Sequence, residues 1–403
     1  MMNSASTASM IRSSNRANVL REVLLGRSSS RTEIAKNLSL TKTTLTNIIG
    51  ELIEKGILTE RPIEPRRGLP GRQPIGLGLS ERAPVIFGMD IQRDALICFL
   101  SDLGGSILYK ARCVYPPASQ TIGELKARIE AMHGELVRSL SRPILAAGIS
   151  APGPMDVKTG LLRKPFELYT DDADFDIVGF VSGLVNAPSF MINDAAGMAL
   201  AEKLMGRASG VESFMAMAIC SGIGGSLYLE DRLYEGMPGR LNGIGHTTID
   251  IYGARCSCGN VGCLEMFTGM KNILEQAEGY RAMYPEHPLF LGGVHDIYDV
   301  MRLSSKGDVL ASVLIVRYCE YLSRALYNFM SALDLETVVV GCVPGDVSDS
   351  FVRVLDHVLN TRVEGCGRPP VRVVPSAFSE NAFLYGATAV VLNKLFVGEL
   401  ALV

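Results

Sequence analysis

The chain has 403 residues, 47% hydrophobic and 20% charged, with a formal net charge of -3. That length exceeds one ordinary core and predicts two or three domains, and the composition excludes a generally disordered chain. No apolar run reaches the ~20 residues of a membrane span, and the start, "MMNSASTASMIRSSNRANVL", lacks the apolar core of a secretory signal. Nine cysteines are irregularly placed and three cluster, which predicts a reducing cytoplasm rather than a disulfide scaffold. The charge is unevenly spread. Residues 1–82 hold 13 Lys and Arg against 7 Asp and Glu, a net of +6, and the remainder holds 26 against 35, a net of -9. A basic head on an acidic body suits a polyanion partner, although an ordinary solvated surface has the same look.

In chain order, the first ten residues read as a frayed Ser/Ala-rich end. From Asn15 the apolar residues Val19, Leu20, Val23 and Leu24 recur at helical spacing, and Gly26 ends that helix. "RSSSR" is a turn with N-cap candidates. "TEIAKNLSL" and "TKTTLTNIIGELIEKGIL" then predict a short helix, a tight turn and a longer helix, capped at Thr41 or nearby, with Ile48, Ile49, Leu52 and Ile53 as its buried stripe. "RPIEPRRGLPGRQPIGLGL" reads as a β-hairpin wing and linker. This is the pattern of a winged helix-turn-helix that binds DNA. Thr41, Lys42, Thr43, Thr44, Thr46 and Asn47 open its recognition helix with groups that reach phosphates and base edges, and Arg72 sits where a wing would extend a guanidinium. A small protein–protein module with a Thr-rich face is the competing reading.

Past Pro84, "VIFGMDI", "ALICFLSD" and "SILYKARCVY" predict three successive strands, followed by a helix, "TIGELKARIEAMHGELVRSL", and a strand, "ILAAGIS". "SFMINDAAGMALAEKLMG" reads as strand into helix, "SFMAMAICSGIGGSLYLEDRLY" as two strands about a Gly-rich turn, "LETVVVGCVPG" as a strand and "AFLYGATAVVLNKLF" as a last helix. The fold class is α/β, and the two strand–turn–strand units hint at a duplication. The Gly-rich turn is a weak signal for a phosphate cradle. Asn193 and Asp194 lie at a strand end, where ligands bind in α/β folds. Asp194 suits a proton acceptor and a helix N-cap equally.

His246-x9-Cys256-x-Cys258-x4-Cys263 offers four ligands able to close a tetrahedral zinc shell, with Gly259 and Gly262 letting the loop turn. Four protein ligands leave no open position, so such a zinc is structural. Three free cysteines and an unrelated histidine are the alternative. Cys98, Cys113, Cys220, Cys319, Cys342 and Cys366 read as core or neutral residues.

"GIGHTTIDIYGARCSCGNVGCLE", "INDAAGMALAE", "SGIGGSLYL", "GISAPGPMDVKTG" and "AFLYGATAV" together resemble the ROK family of repressors, open reading frames and sugar kinases, over nearly the whole chain. The head is similar to the winged helix-turn-helix of the family's repressor branch. The resemblance implies a duplicated actin-like, hexokinase-like (ribonuclease H-like) body with a sugar cleft between two lobes. The expected domains are 1–82 for the DNA-binding head and linker, 83–195 for a first lobe completed by a C-terminal helix over 380–403, and 196–379 for a second lobe with the zinc loop. It also implies that His246, Cys256, Cys258 and Cys263 hold zinc, and that Asn193, Asp194, His246 and Glu265 surround an effector sugar. Asp194 matches the kinases' catalytic base.

The departures point away from catalysis. Where the kinases have an Asp-x-Gly-Gly-Thr phosphate loop, Asp90 is followed by Gln92, Arg93 and Asp94. Bulky side chains block close approach to a phosphate, and Asp94 adds negative charge. Cys342 replaces a glycine of the later nucleotide turn. Gly243 stands where sugar-binding members have a glutamate, which leaves a different ligand, substitution by Asn242, or a cleft without a simple sugar. The sequence thus predicts no catalytic residues and a cytoplasmic, homodimeric or homotetrameric repressor of carbohydrate genes. Its partners are double-stranded operator DNA and a sugar or sugar-phosphate effector, with no membrane. The competing readings are an active sugar kinase with a DNA-binding head and a repressor controlled by a partner protein.

Overall fold

The computed structural model describes residues 4–28, 30–62, 75–117, 119–138, 140–164, 168–220, 222–234, 236 and 243–402, with the side chains of 4–10, 62 and 75 outside the description. The chain divides into two compact units, Met1–Asn193 with Ala387–Val403, and Asp194–Gly386.

The first unit begins with helix α1 (Ser4–Leu24), α2 (Arg31–Asn37) and α3 (Lys42–Glu54). α1 starts at Ser4 rather than near Asn15, so the expected frayed end is helical backbone. Ser30 caps α2 by accepting from Glu33 N, and Thr41 caps α3 by accepting from Thr44 N, which satisfies N–H groups a helix start leaves unpaired. The buried stripe of α3 is Leu45, Ile48, Ile49 and Leu52. Ile53, expected in it, is half-buried. The i, i+3, i+4, i+7 spacing from Leu45 explains this, because Ile53 falls at the edge of that arc. Strands β1 (Leu58–Pro62) and β2 (Ile75–Leu79) pair antiparallel, Leu58 opposite Leu79, and a bridge from Ser30 to Gly76 joins them to the start of α2.

Next come β3 (Val85–Ile91), β4 (Ala95–Ser101), β5 (Ile107–Val114), α4 (Ile122–Val137) and β6 (Ile144–Ala151). A small sheet of β7 (Met155–Asp156), β8 (Leu161–Leu162) and β9 (Phe175–Asp176), then α5 (Ile177–Val185) and β10 (Ser189–Asn193), complete this stretch. The main sheet runs β10-β6-β3-β4-β5, with β3, β4 and β5 antiparallel and β6 and β10 parallel to β3. Leu125, Ile129 and Met132 of α4 pack on it in one core with Phe87, Met89 and Ile149. Gly148 admits the returning C-terminal segment, since a Cβ there would stand 1.9 Å from the Ala387 carbonyl oxygen.

The second unit contains α6 (Asp194–Met205), β11 (Phe214–Ile219), β12 (Ile223–Leu229), β13 (Arg232–Leu233), α7 (Glu265–Thr268), α8 (Met270–Glu278), α9 (Ile297–Ser305) and α10 (Val309–Leu333). β14 (Thr337–Gly341), α11 (Gly345–Gly365), β15 (Arg372–Pro375) and α12 (Ala382–Phe396) follow, α12 joining the first unit from Ala387 onward. Its sheet runs β13-β12-β11-β14-β15, again three antiparallel strands flanked by two parallel ones. Read outward from the first strand of each unit, the two sheets have the same order and polarity, which is the expected duplication. The sequence reading assigns no element between Glu265 and Leu335, whereas α8, α9 and α10 fill that stretch and bury Ile273, Val300, Leu314, Leu322 and Leu326 against β11 and β14. No helix among the described residues is long and apolar enough to cross a membrane.

Candidate functional site

In the second unit the four predicted metal ligands converge. One ligand atom from each of His246, Cys256, Cys258 and Cys263 lies within 4.8 Å of all the others. Cys258 Sγ is 3.7 Å from Cys263 Sγ, and Cys256 Sγ is 3.6 Å from His246 Nδ1. With Zn–S near 2.3 Å and Zn–N near 2.0–2.1 Å, a tetrahedron has edges of about 3.8 Å between sulfurs and about 3.5 Å from sulfur to nitrogen. The donor set therefore fits a four-coordinate metal ion, and the sulfur separation excludes a disulfide.

The backbone explains the convergence. His246 ends a tight turn, Ile244–His246, and Cys263 bridges to Thr248. Gly262 has φ +63°, and a Cβ there would stand 1.6 Å from the Asp250 carbonyl oxygen, so only glycine fits. Asn260, which the sequence reading missed, ties the loop together. Its side-chain amide donates to His246 O and Thr248 Oγ1, both at 3.0 Å, while its backbone carbonyl accepts from Cys256 N. Its only sequence signal is its place between Gly259 and the last cysteine.

The thiols are electrostatically frustrated without a cation. Burial, then the neighbouring Cys258 and Cys256, pushes the Cys263 thiol up to about 12. The exposed Cys258 thiol is held below its ordinary value, chiefly by the Asn260 backbone N–H. Metal entry must expel these protons, so metal affinity should rise with pH and fall on acidification. Competition with a chromogenic chelator from mildly acidic to mildly alkaline pH measures this, and a flat profile would count against thiolate ligation. Among the other cysteines Cys98, Cys319 and Cys342 are buried and Cys366 is exposed.

Glu265 opens α7 beside this centre. Its Oε2 is 3.8 Å from His246 Nδ1, and its Oε1 accepts from Ile223 N at 2.9 Å. The Gly-rich turn is thus partly spent, because one N–H that could face a phosphate engages Glu265. A Cβ on Gly222 would stand 2.4 Å from Glu265 Oε1, so the glycine there serves the carboxylate's approach. Asp194 heads α6 and accepts from Ala195 N at 2.7 Å, while Ala195 packs toward Gly224. The start of β12 therefore connects the surroundings of Asp194 to Glu265. Asn193 closes β10 of the first unit and is half-buried. Gly243 presents no carboxylate, and Asn242 and Ser221 lie outside the described residues.

At the first strand turn Asp90 is fully buried, and Gln92 Nε2 donates to its Oδ2 at 2.7 Å. Gln92 N–H donates to Ala95 O, which closes the turn over Arg93 and Asp94. Cys342 adopts φ +66°, the left-handed conformation natural to the glycine it replaces.

In the head, Lys42, Thr43, Thr46 and Asn47 are exposed on α3. Thr41 is exposed as well, but its hydroxyl caps the helix and lies 2.9 Å from that of Thr44, which is half-buried. These two hydroxyls are already engaged within the protein. Arg72 lies outside the described residues.

The chain is similar to known proteins along nearly its whole length. The chain is 24% identical over 405 residues to the xylose repressor of Caldicellulosiruptor bescii, covering 96% of this chain and 97% of that one. Its fold matches a solved ROK family transcriptional regulator, a homolog of the Escherichia coli Mlc protein, with a TM-score of 0.74 at 24% identity over 97% of this chain and 98% of that one. It matches the ROK hexokinase of Thermus thermophilus with a TM-score of 0.59 at 24% identity, over 77% of this chain and 99% of the hexokinase. The family model described as ROK matches residues 86–394, most of the chain and all of the ligand-bearing loop, and the chain belongs to the ROK family.

Proposed function

We propose that the protein is a cytoplasmic DNA-binding transcriptional regulator, a repressor of genes for carbohydrate uptake or catabolism. The observation that carries this reading is the basic head itself. α2, a tight turn and α3 present Lys42, Thr43, Thr46 and Asn47 outward beside a β-hairpin, in a chain that aligns end to end with a xylose repressor. α3 lies in the major groove, with Arg72 of the hairpin loop as a further contact. A homodimer or homotetramer sets two such helices on half-sites about one helical turn or a multiple apart. Lys42→Ala should weaken binding to genomic fragments and lower the slope of log affinity against log salt by about 1, as read by electrophoretic shift or anisotropy. Unchanged affinity and slope would mean that another surface faces the DNA.

The body acts as a sensor. His246, Cys256, Cys258 and Cys263 hold a structural zinc ion, which supplies only the cross-link that closes the loop. Asn193, Asp194, His246 and Glu265 bind the effector sugar. Its influence on DNA binding equals its difference in affinity for the DNA-competent and incompetent arrangements. Phosphoryl transfer has been lost. In support, Asp90 is engaged by the Gln92 amide, and the turn carries Arg93 and Asp94 in place of residues that let a phosphate approach. Sugar-dependent ATP turnover in a coupled assay would overturn this part and leave a kinase with a DNA-binding head. Gly243 favours a second reading, control by a cytoplasmic partner protein, because a carboxylate that would accept sugar hydroxyls is missing there. Calorimetry in which no candidate sugar binds while such a partner does would select it.

A further inference from the structure

A cavity of about 210 Å³ lies in the second unit, lined by Thr248, Ile249, Arg324, Tyr327, Asn328 and Arg362. Two arginines line this small space, and no acidic residue does. That runs against the local charge, since Asp194–Gly386 holds 15 Lys and Arg against 22 Asp and Glu, a net of -7. Other arginines of the unit pair with acids: Arg281 with Glu278, Arg302 with Asp299 and Asp346, and Arg368 with Asp334. Among the described residues neither Arg324 nor Arg362 has an acidic partner within 4.0 Å.

Arg362 is also pre-oriented. Its Nε donates to Ser323 Oγ at 3.2 Å, and that hydroxyl, on a fully buried residue, donates to Glu320 O at 2.8 Å. One nitrogen of the fork is thereby held, while its two Nη groups meet no protein acceptor among the described residues. A planar fork of this kind matches two oxygens of a phosphoryl group, and a second guanidinium can neutralise the remaining charge. The Asn328 amide and the Tyr327 ring add a neutral donor and a flat wall. The volume falls below the ~300 Å³ at which drug-sized pockets begin, so the ligand is small.

Two of the lining residues, Thr248 and Ile249, belong to the cysteine loop. Thr248 Oγ1 donates to Val261 O at 2.9 Å and accepts from Asn260, and Ile249 N donates to Gly262 O at 2.9 Å. A bound anion would therefore press on the segment that holds Cys263.

We infer that this cavity is a binding site for a small phosphate-bearing anion, with Arg324 and Arg362 as its charge-recognising residues, distinct from the Asp194, His246 and Glu265 group. The test is calorimetric titration of the full-length protein, as purified, with inorganic phosphate, with glycerol phosphate and with glycerol, at low and at raised sodium chloride. Saturable binding of either phosphate and none of glycerol is expected. Tighter binding of glycerol phosphate identifies a monoester site, and tighter binding of phosphate identifies a free-ion site. Arg362→Ala and Arg324→Ala should each weaken binding at least about tenfold, a loss of ~1.4 kcal/mol. Arg362→Lys should fall between, because it keeps the charge but loses the fork. Asp194→Asn should leave the phosphate affinity unchanged, which separates this site from the sugar site. Arg324 is exposed, so its substitution keeps the test readable if breaking the Arg362–Ser323 bond loosens α11. Wild-type affinity in both alanine variants, or no saturable binding of either phosphate, overturns the inference. So does dissociation of an oligomer by these variants with unchanged phosphate heats, since the guanidinium groups would then serve a carboxylate of another chain.

Discussion

Cys256→Ser or Cys258→Ser should lower the zinc content from about one ion per chain to less than about a tenth. A serine hydroxyl does not ionise near neutral pH and cannot replace a thiolate in a four-ligand shell. The consequence for the loop is large because, among the described residues, the four side chains are the only ones that would tie its distant turns through a single centre. Ile251 and Tyr252 at its tip are 71% and 91% exposed, so burial of apolar surface contributes almost nothing there. What remains is a set of hydrogen bonds within the loop, those of Asn260, Thr248, Ile249 and Gly262 among them, each worth about 1 kcal/mol net. In small zinc domains the metal contributes roughly 10–16 kcal/mol of apparent binding energy. The segment from His246 to Cys263 should become the first site of limited proteolysis, and His246 and Glu265 should lose their mutual placement. The salt slope of DNA binding should not move, because Lys42 and its neighbours stand on a separately packed helix. Elemental analysis after desalting reads the first effect, and stoichiometric zinc in either variant would sink the assignment of these thiols as ligands.

Glu202→Ala should cost the second unit about 3–5 kcal/mol. Glu202 is fully buried near the end of α6. Its Oε1 accepts from Ser376 Oγ at 2.6 Å and Ala377 N at 2.9 Å, and its Oε2 accepts from Arg207 N at 2.7 Å. Burial pushes this carboxyl above its ordinary range, and the Ser376 and backbone donors pull it back. Removing it strands three donors, each costing about 1–3 kcal/mol if unpaired. A unit of this size should melt roughly 8–15 °C lower. Glu202→Gln keeps the shape and one accepting oxygen and should lose about half as much. Thermal melts followed in the presence and absence of DNA measure both, and a loss below about 1 kcal/mol for the alanine variant would mean that water replaces the carboxylate. The effect reaches the proposed sugar site because α6 begins with Asp194, whose position depends on where its helix is anchored.

The resemblance to the ROK family, the α/β class and the helix pair of the head were legible in the residues because each rests on local pattern. Leu45, Ile48, Ile49 and Leu52 declare the buried side of α3 through spacing alone, and Thr41 declares its cap. The cysteine spacing likewise marks the four side chains that the fold brings together, since a metal shell demands particular donors within a short loop. The long helix α10 carries the same kind of local pattern, with Leu310, Leu314, Tyr318, Leu322 and Leu326 buried at helical spacing and Arg317, Glu320 and Arg324 exposed between them.

Other features had no local signature. Asn260 and Glu202 look like ordinary polar residues until the fold surrounds them with donors and acceptors. The Gly-rich turn looked like a phosphate cradle, yet Glu265, 42 positions away from Ile223, takes one of its N–H groups. Arg324 and Arg362 are 38 positions apart on two helices, and only the packing of α10 against α11 brings them into one cavity. Composition, periodicity and ligand spacing are properties of neighbouring residues, so the chain alone determined the elements, the basic head and the loop whose histidine and three cysteines converge. Which polar groups are already satisfied, and which charges are left facing one another, depends on distances set by tertiary packing, and that only the folded structure decided.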